Sequence, residues 1–168
     1  GKTGSGTFAG IGHQGELEAA KKAWLEAPEW QELRRYVEDT LVLKDWFELF
    51  VAQNVVQDGV LFGLAYKEVD QAISEKAGPT VSMLTRFQAE WFQDASKWVD
   101  AVIKAAASES ADNQALLSQW YGQWRARVQE ALAPVAQLAL GEQGAQALER
   151  AAAAVDARMV KAGLTLSV

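Results

Sequence analysis

The sequence predicts an all-α helical bundle, and three observations carry that reading. Only 3 of the 168 residues are proline, and strong helix formers such as alanine, leucine, glutamate and glutamine are abundant. Apolar residues recur at helical spacing from Leu17 onward, and no stretch shows the alternation of a half-buried strand. Hydrophobic residues make up 49% and charged residues 23%, enough apolar material for a core and too much for disorder.

The elements follow in order. Residues 1–14 carry Gly1, Gly4, Gly6, Gly10 and Gly12 with no hydrophobic period and read as a flexible leader. Residues 15–168 read as a single helical bundle domain. A short helix is expected over 15–26, and Pro28, suited to a first turn, opens another over 28–42. Lys44-Asp45 marks a break before a long helix over 45–76, which Gly78-Pro79 ends. Thr80 is a good N-cap for a helix over 80–108. Ser108, Ser110, Asp112 and Asn113 supply capping groups in a turn, and a helix over 112–140 ends at Gly141. The last helix spans 142–162, before Gly163. Pro134 lies inside a helical run, so a kink about one turn before it is expected.

The spacings assign faces. Leu84, Phe87, Trp91, Trp98, Val102 and Ala105 form one apolar stripe. Leu117, Trp120, Trp124, Val128, Leu132, Val135 and Leu138 form another. Both are expected to be buried between nearly antiparallel helices. The helix over 45–76 is apolar on most of its circumference between residues 46 and 66, so it is expected in the middle, covered on several sides. Gly59 and Gly63 leave room for a neighbouring helix to approach.

Charge and composition exclude several functions. The formal net charge is −6 and the pI about 4.9, so nothing attracts a nucleic-acid backbone. With 0 cysteines there is no disulfide framework, iron–sulfur cluster or thiolate zinc site. The 1 histidine, His13, lies in the leader, which excludes an imidazole-based triad within the chain. Glu48, Gln53, Asn54, Gln57 and Asp58 interrupt the most apolar run. A carboxylate at a bilayer centre costs about 2.5–3.5 kcal/mol, so a buried helix and no membrane is the expectation. No signal or transit peptide is expected, and the expected compartment is the cytoplasm.

A helical bundle rich in acidic residues raises the question of a di-iron centre, which requires Glu-x-x-His motifs on two helices. The nearest match, Glu90-Trp-Phe-Gln93, has an amide where the imidazole belongs, so no metal site is expected. Gln53, Asn54 and Gln57 are expected to form a buried amide network. Glu48 and Asp58 each need a cation or donors.

One run, Val37-Glu-Asp-Thr-Leu-Val-Leu-Lys-Asp-Trp-Phe-Glu-Leu-Phe-Val-Ala-Gln-Asn54, is specific enough to suggest a family. With Gln57-Asp-Gly59, Val81-Ser-Met-Leu-Thr85, Glu90-Trp91 and the segment from Ala107-Ser-Glu-Ser110 to Trp120, it resembles the beta subunit of the hydroxylase of bacterial multicomponent di-iron monooxygenases. The phenol hydroxylase and toluene monooxygenase branch is the nearest. The resemblance covers about residues 15–142 and falls on the C-terminal half of such a subunit, which implies a fragment.

The resemblance implies the second half of a ferritin-like fold and a non-catalytic scaffold. Partners would be an alpha subunit, which carries the di-iron site, and a gamma subunit. It implies no cofactor in this chain and no catalytic, cofactor-binding or metal residues. The competing reading is a stand-alone helical binding or interaction module with an apolar ligand or partner groove. Without the first half, part of the long helix is expected to be uncovered and to pair with a second copy. Trp46, Phe50, Phe62 and Tyr66 are the candidate interface for that homodimer or for another subunit.

Overall fold

The computed structural model describes residues 14–77 and 80–166, and every regular element among them is a helix. The leader lies outside the described residues up to position 13, as does the Gly78-Pro79 break. Gln14, assigned to the leader, already belongs to the first helix. The helices are α1 (Gln14–Glu26), α2 (Pro28–Thr40), α3 (46–77), α4 (Thr80–Glu109), α5 (Ala111–Leu140) and α6 (Gly144–Lys161). A short 3-10 turn, Gly141–Gln143, joins the last two.

Local chemistry sets these limits. Pro28 opens α2 from an extended Ala27, where its missing N–H costs nothing. Asp45 caps α3, accepting from the backbone N–H of Phe47 at 2.8 Å and of Glu48 at 3.4 Å. Ser110 caps α5 by accepting from Asn113 N–H at 3.0 Å. Gly141 (φ 57°) and Gly163 (φ 103°) follow α5 and α6 in conformations that disfavour a side chain. The expected ranges hold to within two residues at most ends. α5 runs on through Pro134 as one helix.

α3 departs from a plain α-helix. It begins as an α-helix over Trp46–Phe50, widens to π geometry over Val51–Gln57, returns over Asp58–Gly63, widens again over Leu64–Val69 and finishes as Asp70–Ala77. The sequence explains why. Inward residues come in pairs every four positions: Val51-Ala52, Val55-Val56, Gly59-Val60 and Gly63-Leu64. A 3.6-residue turn rotates such a pattern by about 40° per repeat, carrying it off the core within three repeats. Wider turns cancel the drift. Val51, Ala52, Val55, Val56 and Val60 are all fully buried as a result.

The rest packs around this row. α5 crosses the interior and buries Leu117, Tyr121, Trp124, Val128 and Leu132 against α2, α3, α4 and α6. Trp120 and Val135 are only half-buried, and Leu138 is exposed at its solvent-facing end. Tyr36 of α2 meets Trp124 edge-on, with centroids 5.2 Å apart. α6 presents Ala147, Ala151, Ala152 and Val155, and its small side chains reach the backbone of α3 at Gly59 and Gly63. The expected close helix approach at these glycines is made by α6.

The expectation for α4 needs correction. Phe87, Trp91 and Trp98 are 79%, 64% and 61% exposed, and Ala105 is exposed too. The core-facing side carries Val99, Ile103 and Ala107. α4 has two apolar stripes, and helical spacing identifies both without telling which one faces its own core. Among the described residues, no helix is long and apolar enough to cross a membrane.

Two glycines give opposite expectations. A Cβ on Gly144 would lie 2.5 Å from the Ala136 carbonyl oxygen, which is backbone and cannot yield. Gly144→Ala should therefore destabilise by at least about 2 kcal/mol. Gly122 sits inside α5 with nothing within 4 Å, so Gly122→Ala should stabilise by about 0.5–1 kcal/mol. Urea denaturation of both variants checks the pair.

Candidate functional site

Several interior polar groups of α3 are met by neighbouring helices. The Tyr36 hydroxyl donates to the Ala52 carbonyl at 2.8 Å, inside the first π segment, and burial pushes its pKa far above the phenol range. The Trp124 indole N–H donates to Glu48 at 3.1 Å, supplying the donor that this carboxylate needs. Gln53 donates to the buried Thr40 hydroxyl at 3.1 Å, and that hydroxyl donates on to the Val37 carbonyl at 2.7 Å. The expected amide network is not formed. Gln53 bonds to Thr40, Asn54 faces outward, and the Gln57 side-chain oxygen is buried with no hydrogen-bond partner.

Charged groups tie the helices together at their edges. Arg158 of α6 grips Asp100 of α4 through two nitrogens at 2.8–3.1 Å. Asp156 accepts from Arg125 at 2.9 Å and from the Tyr121 hydroxyl, whose pKa is raised by burial and then by that carboxylate. Arg150 binds Glu68, and Arg127 binds Asp39 while its guanidinium lies 4.4 Å from the Trp124 ring centre.

These donors do not fit a di-iron centre. Glu90 lies on the surface and accepts from Arg86 at 2.7 Å, and Gln93 is exposed beside it. Glu48 accepts from an indole, while Asp100 and Asp156 are held by arginines. Among the described residues, no group of three or more His, Cys, Asp or Glu side chains converges on a point.

The distinctive surface is aromatic and runs along the α3–α4 seam. Trp46 is 70% exposed, beside Phe47 at 4.9 Å. Phe50 is half-buried and meets Trp98 edge-on at 5.7 Å. Phe62 stacks on Tyr66 at 5.5 Å and turns toward Trp91 and Phe92 at 6.4 and 5.1 Å. All four sequence-chosen residues thus border one seam. Trp91 and Trp98, whose stripe is expected to be buried, belong to it as well. Their i, i+7 spacing, with Phe87 four residues before, marks an apolar stripe but carries no signal of its exposure. Below the seam, a groove of about 550 Å3 is lined by Phe62, Tyr66, Phe92, Ser96 and Val155.

Comparison with known proteins places the chain. Residues 8–110 match the model of a family described as methane/phenol/alkene hydroxylase. The oxygenase component DmpL of phenol 2-monooxygenase from Pseudomonas sp. (strain CF600) is 44% identical over 88% of this chain and 44% of its own length. MhpL, the corresponding component from Acinetobacter pittii, is 40% identical over 91% of this chain and 46% of its own length. The beta subunit of the toluene-4-monooxygenase hydroxylase component of Ectopseudomonas mendocina is 32% identical over 70% of this chain and 34% of its own. A crystal structure of phenol hydroxylase from Pseudomonas sp. OX1 superposes with a TM-score of 0.83 at 38% identity, over 92% of this chain and 47% of that one. The chain spans about half the length of the relatives it matches. The ferritin-like helical fold expected from the sequence is the fold observed.

Asp58 offers a test of the interior. Burial raises its pKa above the usual carboxylate value. A carboxyl whose folded-state pKa is raised favours the folded state while protonated, and that contribution is lost as pH rises through the folded pKa. Asp58→Asn should therefore be more stable than the parent at pH 7, and the difference should shrink as pH falls through the carboxylate range. Denaturant midpoints across pH 4–8 measure it.

Proposed function

This chain belongs to the methane/phenol/alkene hydroxylase family, and on that premise we propose that it is a non-catalytic scaffold subunit. It would serve the hydroxylase component of a multicomponent monooxygenase acting on phenol- or toluene-type aromatics, in the cytoplasm. The observation that carries the reading is how the partly buried carboxylates are used. Glu48, Asp100 and Asp156 each hold a donor on another helix, so the groups that could bind iron instead fasten the bundle.

In this reading the di-iron centre lies in an alpha subunit, with a gamma subunit completing the hydroxylase, and this chain needs no cofactor. Its part is to present a rigid helical face to its neighbours. The aromatic seam supports that role, because large apolar side chains left open on a folded helix mark interaction surfaces. The same seam supports self-association of this chain as a homodimer through Trp46, Phe50, Phe62 and Tyr66.

A second reading, an apolar-ligand module, is favoured by the groove of about 550 Å3 beside Phe62 and Tyr66, a size typical of small-molecule sites. Titration calorimetry with single-ring aromatics distinguishes the two. The scaffold reading predicts no saturable heat.

The functional test uses the purified chain with NADH and a cognate reductase. It should oxidise no phenol or toluene and hold no stoichiometric iron. Co-expressed with a hydroxylase alpha subunit bearing two Glu-x-x-His motifs, it should co-purify with that subunit. Turnover by the isolated chain would overturn the proposal.

A further inference from the structure

The exposed stripe of α4 has a pattern that the core stripe lacks. Phe87, Trp91, Asp94, Trp98, Ala101 and Ala105 alternate at steps of four and three, the spacing of a coiled-coil seam. All of them are exposed, and they lie away from the buried Val99, Ile103 and Ala107. The seam is graded. Phe87 and Trp91 stand at one end, Ala101 and Ala105 at the other, and Asp94 and Trp98 lie between them.

We infer that α4 pairs with α4 of a second copy, antiparallel, about a two-fold axis near residues 96–97. This rests on the proposed self-association and gives it a surface and a register. An antiparallel seam brings alternate positions of the two helices opposite each other. About that axis Phe87 faces Ala105 of the second copy, Trp91 faces Ala101, and Asp94 faces Trp98. Phe87 and Trp91 each meet an alanine, and Asp94 meets Trp98, whose indole N–H is a donor.

The flanking charges agree with the same register. Glu90 falls beside Lys104 of the second copy, on both sides of the axis, with both residues exposed. Lys97 approaches its own counterpart at the axis, where each copy's Asp94 already holds it at 2.9 Å. The self-matching gradation argues for a second copy as the occupant, because a two-fold interface requires each half to complement the other. Trp46 and Phe50 of α3 border the paired helices, continuing the apolar surface to one side.

The test combines sedimentation with distance measurement on the whole chain. The parent should sediment as a dimer at micromolar concentration. Glu90→Lys should weaken the dimer about tenfold by setting lysines against each other, and adding Lys104→Glu should restore it. Because the chain has 0 cysteines, spin labels can be placed singly through Glu90→Cys, Lys97→Cys and Lys104→Cys. Label separation should be shortest at 97, with an axial offset of about 21 Å added at 90 and 104. A parent that sediments as a monomer would overturn the self-association reading and this pairing together. A dimer whose labels are not closest at 97, or whose charge swap gives no rescue, would leave self-association standing and overturn the pairing on α4.

Discussion

The bundle depends on keeping one side of α3 turned inward along its length. Val51, Ala52, Val55, Val56, Val60 and Leu64 form that side, and each buried valine or leucine contributes about 1.5–3 kcal/mol. A regular α-helix cannot hold pairs spaced every four residues on one side, so the helix opens into π turns over Val51–Gln57 and Leu64–Val69. Neighbouring elements answer this geometry. Tyr36 bonds the Ala52 carbonyl of the first wide turn, Trp124 packs on Tyr36 and reaches Glu48, and α6 closes on Gly59 with Val155 and on Gly63 with Ala151.

The other side of α3 explains why such a bundle suits assembly. Trp46, Phe50, Phe62 and Tyr66 emerge where the valine row ends, and α4 adds Phe87, Trp91 and Trp98 beside them. Rings of this size are costly to leave in water and give a large contact area per ordered side chain. The bundle is therefore closed by aliphatic residues together with Tyr36, Tyr121 and Trp124, and a second set of aromatic residues lines the α3–α4 seam. The chain spans about half the length of the hydroxylase subunits it resembles.

Much of this was legible in the sequence, for local reasons. Pro28, Asp45, Ser110, Gly141 and Gly163 act through their own backbone and nearest neighbours, so helix limits followed from them directly. The run 37–54 carried the family resemblance. The π turns were not anticipated, although the four-residue repeat of inward pairs from Val51 to Leu64 encodes them. The burial of α4 was misjudged because Trp91 and Trp98 carry more hydrophobic weight than Val99 and Ile103, while tertiary contacts decide which stripe faces the core. The amide network failed for a similar reason. Gln53 found a hydroxyl on another helix, a partner that spacing along one helix cannot reveal.

Amide hydrogen exchange tests the central claim most directly. If the inward row of α3 is what the bundle is built on, the amides of residues 51–64 should exchange only through global unfolding. Their opening free energy should then match the unfolding free energy from denaturant titration. Residues of α1, which buries no side chain, should exchange far faster. Opening of residues 51–64 several kcal/mol below the global value would contradict the account and place the stable core in α5 and α6 alone.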